Sequence, residues 1–108
     1  MQIKHTVIFS TAPNEDEAAK IAHALVEKKL VACVNIVPKI RSIYSWQNKL
    51  CDESEVLMIM KAREDLLGRI KSELKSLHSY ECPELIAIPI SDGLPEYLDW
   101  IDDSSINI

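Results

Sequence analysis

The order in which the hydrophobic period changes along this chain leaves few folds open to it. A short β-branched run, IKHTVIFS at 3–10, reads as a buried strand. It hands over at 12–30 to a helical repeat in which Ala18, Ile21, Ala22, Leu25 and Val26 share one face. Asn14 is placed to cap that helix, with Glu17 three residues later to close a capping box, and Lys28 and Lys29 fall where cations suit the last turn. Residues 32–46 then read as one long strand or two short ones, and Pro38 within them predicts a bulge or an edge position because proline donates nothing to a ladder. Gln47-Asn48-Lys49 is a polar break in which Asn48 suits the positive φ of a tight hairpin, and EVLMIMKA at 55–62 is the returning strand. Leu67, Ile70, Leu74 and Leu77 mark a second amphipathic helix, in which Gly68 is unfavourable by about 1 kcal/mol relative to alanine. HSYECPE must end that helix, since the residue before Pro83 is pushed out of helical backbone. PELIAIPI at 83–90 is a fourth strand, and Pro95 opens a short helix carrying Tyr97, Leu98 and Ile101 before a tail expected to fray.

The order is therefore β-α-β-β-α-β with a short C-terminal helix. It specifies an α+β, ferredoxin-like sandwich, with a four-stranded antiparallel sheet carrying two helices on one face. The other face stays bare, and in a chain that is 47% apolar a bare face and a long hairpin call for a partner. Self-association is the expectation. At 108 residues there is room for one core and not two, so 1–108 is read as a single domain.

Composition removes several functions. A net charge of −5 with no basic run opposes nucleic-acid binding, which depends on lysine and arginine neutralising phosphates. No apolar run approaches the roughly 20 residues that span a bilayer, and MQIKHTVIFSTAPNEDE lacks the pattern of a secretory signal, so no membrane association and a cytoplasmic location are expected. Cys33, Cys51 and Cys82 are odd in number and widely spaced, which excludes a full disulfide framework and any C-x-x-C motif. The only glycines, Gly68 and Gly93, cannot build a phosphate loop, and no nucleophile has a nearby base. The chain is read as no enzyme.

What remains is HSYECPE at 78–84, where imidazole, thiol and carboxylate suit a borderline or soft divalent metal. The plainer reading of the same residues has His78 capping the second helix, Tyr80 packed over the sheet edge, Cys82 as apolar filler and Glu84 solvated. Cys33, between Ala32 and Val34, reads as core packing, and Asp52, Glu53 and Glu55 as a solvated hairpin.

KKLVACVNIVP, SIYSWQNK and HSYECPELIAIPI, in this order and spacing, resemble the CutA family of divalent-cation tolerance proteins, and the likeness runs from the first strand to YLDW. The resemblance implies a tight homotrimer, similar to PII signalling proteins, with sheets packed about a three-fold axis and hairpins reaching onto neighbours. It implies that Tyr44 and Trp46, at the family's Y-x-W positions, lie dry between subunits, as amphipathic aromatics suit such places. It also implies binding of Cu²⁺ or another divalent cation, with Cys33 in the A-C-V motif and His78, Glu81 and Glu84 in H-P-Y-E-x-P-E as the ligand set; Cys82 stands at the variable position of that motif, so ligation by its thiol would be particular to this chain. The alternative it offers is a sensor binding a small anionic or polar ligand in an intersubunit cleft lined by Tyr44, Trp46, Lys61, Tyr80, Glu81 and Glu84. Two departures from the pattern are Ser79, where proline is usual and whose replacement is expected to loosen the loop, and Asn48, where the hairpin usually has glycine.

Overall fold

The computed structural model describes residues 3–107. Of the proposed span 1–108, residues 1, 2 and 108 lie outside it. Its elements are β1 (His5–Ala12), α1 (Glu15–Glu27), β2 (Cys33–Trp46), β3 (Lys49–Arg63), a 3-10 turn (Glu64–Leu66), α2 (Leu67–Leu77), β4 (Ile86–Pro89) and α3 (Pro95–Asp103). The strands form one antiparallel sheet in the order β2-β3-β1-β4. This is the expected ferredoxin-like α+β arrangement.

Alternation decides which side of the sheet is sealed. Ile8 of β1 and Met58 and Met60 of β3 point to the helical side, where Ile21 and Leu25 of α1 and Ile70 and Leu74 of α2 meet them, all at most 1% exposed. Each such side chain contributes about 1.5–3 kcal/mol by leaving water. Asn14 caps α1 as its spacing predicts, its Oδ1 accepting the Glu17 N–H at 2.8 Å. Lys28 and Lys29, however, lie past the last turn. Lys29 takes φ 57°, Leu30 N–H returns to the Leu25 carbonyl and Lys29 N–H to that of Val26, which is a Schellman closure. Lys28 reaches Glu73 of α2 instead, at 2.5 Å.

The other side of the sheet carries cross-strand rows. Asn35, Ile59, Phe9 and Ile86 stand in one, and Cys33, Lys61, Val7 and Ile88 in the next. Ile86 and Ile88 are 53% and 48% exposed. Helix α3 covers one end of this face, where Asp102 Oδ1 lies 2.8 Å from His5 Nε2 and Ile101 is buried. The tail does not fray up to residue 107: Ile106 N–H donates to the Lys29 carbonyl at 2.9 Å and its side chain packs on the core.

β2 and β3 outrun their neighbours. β1 ends opposite Val56, so Ile40–Trp46 and Lys49–Glu55 project as a two-stranded arm, and the molecule measures 46 × 25 × 22 Å. The returning strand thus begins at Lys49, not at 55, because cross-strand pairing continues to the turn. That turn needs two residues at positive φ, Gln47 at 51° and Asn48 at 64°, of which the sequence signals only the second. Conversely β4 spans Ile86–Pro89, shorter than 83–90, because only four residues find partners on β1.

Pro38 lies in β2, which is an edge strand, and at a bulge. Val37 opposes Leu57 and Ile40 opposes Glu55, so β2 carries one residue more than β3 across this step. Side chains alternate, and one extra residue therefore exchanges the faces of everything beyond it. Before the bulge Cys33, Asn35 and Val37 point to the bare face. After it Ser42, Tyr44 and Trp46 do, on the side of Glu53 and Glu55.

Candidate functional site

The loop after α2 is organised by one buried imidazole. His78 leaves helical backbone (φ −82°, ψ 141°), and its N–H closes α2 on the Leu74 carbonyl, so it does cap the helix end. Its ring is fully buried beneath Tyr80, with centroids 4.6 Å apart. Nδ1 accepts the Tyr80 N–H at 3.1 Å, which leaves the proton on Nε2, and Nε2–H donates to the Thr11 carbonyl at 2.7 Å. Neither nitrogen then has a lone pair for a metal ion. The expected ligand set moves away from His78.

Tyr80, held by that ring, points its hydroxyl at the arm and donates to Glu55 Oε2 at 2.5 Å. Glu55 is only 6% exposed and makes no ion pair among the described residues. The solvated-hairpin reading of Glu55 is thereby corrected. Tyr44 donates similarly to Glu53 at 3.2 Å. Burial first, then the neighbouring carboxylates, raise both phenols, Tyr44 to about 12 and Tyr80 further. Between the loop and the arm lies a cleft of about 510 Å³. Tyr44, Trp46 and Tyr80 give it aromatic walls, and Glu55, Glu81 and Glu84 give it acid. Cys82, a free thiol, stands at its edge, and among the described residues of the chain no lysine, arginine or histidine lines it.

The sequence-derived residues thus divide. Within one chain Tyr44, Trp46, Tyr80, Glu81, Cys82 and Glu84 line the cleft, whereas Lys61 and Cys33 of the same chain do not. Lys61 faces Cys33 across the strands and gives its ammonium to the Asn35 carboxamide. It lies six residues along β3 from Glu55, about 20 Å away. Glu55 is the member that sequence reasoning missed, although it shares strand parity with Leu57 and Ile59. Among the described residues no three His, Cys, Asp or Glu side chains converge as a ready metal site.

Residues 6–104 match the family model for CutA1, the divalent ion tolerance protein. The chain belongs to the CutA1 family. A relative from Archaeoglobus fulgidus, a divalent-cation tolerance protein CutA, is 47% identical over 93% of this chain and 97% of its own length. The chloroplastic CutA of Arabidopsis thaliana is 43% identical over 94% of this chain, which spans only 56% of that protein. The crystal structure of CutA1 from Oryza sativa superposes with a TM-score of 0.95, at 39% identity, covering 98% of this chain and 97% of the other.

Within the CutA pattern the departure at Ser79 acts differently from the expectation. Ser79 does not loosen the loop: its N–H and hydroxyl both donate to Glu17 Oε2, at 3.0 and 2.8 Å, two bonds that proline could not make. Burial pushes the Glu17 carboxyl up, but the two Ser79 bonds and the neighbouring charges prevail and hold it below its ordinary value. α1 is thereby tied to the loop that carries His78 and Tyr80.

Proposed function

We propose that this single-domain CutA-family chain is a non-enzymatic, cytoplasmic homotrimer of divalent-cation tolerance, and that the acid-lined cleft is where a cation is held. The observation that carries the reading is the charge that one chain gives that cleft, three carboxylates and a thiol, with no cationic side chain among its described residues. Glu81, Cys82 and Glu84 at the rim are the proposed ligands, and the general affinity order of divalent ions at nitrogen, oxygen and sulfur donors puts Cu²⁺ first. Because no three donors already converge, binding is weak and draws the rim together. His78 serves by positioning Tyr80, and Cys33 and Lys61 stand outside the site. The bare sheet face supports the trimer, since the apolar Val37, Ile86 and Ile88 are exposed on it. Among the described residues no helix is long and apolar enough to cross a membrane.

Calorimetric titration of the reduced, metal-free protein with Cu²⁺, Zn²⁺ and Mg²⁺, with molecular mass measured alongside, tests this reading. Saturable copper binding by a trimer supports it. A monomer at micromolar concentration, or unsaturated uptake of all three ions alike, contradicts it. A second reading, a PII-like sensor of a small ligand, is favoured by one feature, the three aromatic walls, which a bare metal ion does not need.

A further inference from the structure

We infer that His78 is an acid-sensitive latch: a second proton, taken at Nδ1, turns that nitrogen from the Tyr80 N–H to the Glu17 carboxylate and releases Tyr80 from the arm. The bonds that break and form lie within one chain and involve no bound ion.

Both nitrogens of the ring are committed. The side chain is fully buried, Nε2–H is given to the Thr11 carbonyl at 2.7 Å, and Nδ1 accepts the Tyr80 N–H at 3.1 Å. A second proton therefore has one place to go, and once there it sets two N–H donors against each other. One of them must turn away. The receiver is already in place, since Glu17 Oε2 lies 3.4 Å from Nδ1 and is fixed by the Ser79 N–H and hydroxyl. Tyr80 then loses the backbone bond that seats its ring over the imidazole, at 4.6 Å between centroids. Its hydroxyl is the group that reaches Glu55 at 2.5 Å, so freeing the Tyr80 backbone also frees the loop from β3.

The surrounding charges fit this exchange. From α1 the ring meets Glu17, with Lys20 beside it; from β1, the Thr11 carbonyl; and beyond the Tyr80 ring stands Glu55 of β3. Burial raises the Glu17 carboxyl, but the Ser79 bonds outweigh it and hold it below its ordinary value, while burial and then Glu55 raise the Tyr80 phenol. Glu17 thus stays charged and Tyr80 neutral between about pH 8 and pH 5, the range in which a histidine ordinarily changes charge.

The test is a titration of the intact, metal-free protein from about pH 8 to about pH 5, with the His78 ring nitrogens and the Tyr80 amide followed by NMR. Nδ1 should gain its proton at the same midpoint at which protection of the Tyr80 amide from exchange falls at least about tenfold. His78→Gln, whose carboxamide accepts from Tyr80 and donates to Thr11 without titrating, should abolish the step and keep the amide protected throughout. Glu17→Gln should move the step to lower pH by removing the charge that receives the proton, and it serves as the test should His78→Gln not fold. A ring that stays neutral down to the end of the titration, a protonated ring with Tyr80 still protected, a step that persists in His78→Gln, or one unmoved by Glu17→Gln overturns the inference. No metal enters either readout, so that result leaves the divalent-cation reading standing.

Discussion

Ser79 shows how one side chain sets the stiffness of the site. Its N–H and hydroxyl hold the Glu17 carboxylate, and through the loop they fix the ring of His78 under Tyr80. Ser79→Ala removes one charge-assisted bond at an exposed position and should cost about 1 kcal/mol at neutral pH, read from denaturant midpoints. The Glu17 carboxyl lies below its ordinary value of 4.5 in the folded protein. Its stabilising effect is therefore complete above that value and is lost as pH falls through the lowered one. The penalty of Ser79→Ala should accordingly shrink in acid, and a penalty that grew there would contradict the bond. Glu55 was illegible for a related reason. Its burial depends on Tyr80, 25 residues away, and a period of two within β3 gives the face but not what lies over it.

Among the elements, order and type were legible because each segment keeps one period long enough to declare itself, as β1, α1 and α2 do. Boundaries failed where partners decide them. β3 gained six residues at its turn end because β2 pairs with it to the turn, and β4 is short because β1 offers it four partners. The bulge beside Pro38 was legible in proline's missing donor, but its consequence was not, since only the register shows that it turns Tyr44 and Trp46 onto the side of Glu55. Deleting Lys39 removes the extra residue and should return both aromatics to the other face. In a Trp100→Phe background, Trp46 emission should then shift and cation binding should disappear; unchanged spectra and binding would show that the bulge does not place them. In α2, Gly68 has nothing within 4 Å of the position where a Cβ would sit and no positive φ. Gly68→Ala should therefore stabilise the chain by about 0.5–1 kcal/mol in chemical denaturation.

At the scale of the whole molecule, the helices seal one face of the sheet and α3 covers only an end of the other. The rows through Phe9, Ile59 and Ile86 and through Val7 and Ile88 are what three copies would bury. Ile88, 48% exposed in the chain alone, should be dry in the trimer, so Ile88→Lys should dissociate it into monomers, seen as a threefold fall in sedimentation mass. A variant that stays trimeric would place the contact elsewhere. The assembly leaves the central claim to the cleft, where carboxylates and not the buried imidazole are to hold the cation. The measurement that tests it most directly is copper titration of the Glu81→Gln/Glu84→Gln double variant beside His78-intact wild type. The account predicts affinity lowered at least about tenfold with the oligomer unchanged. Undiminished copper binding would contradict it.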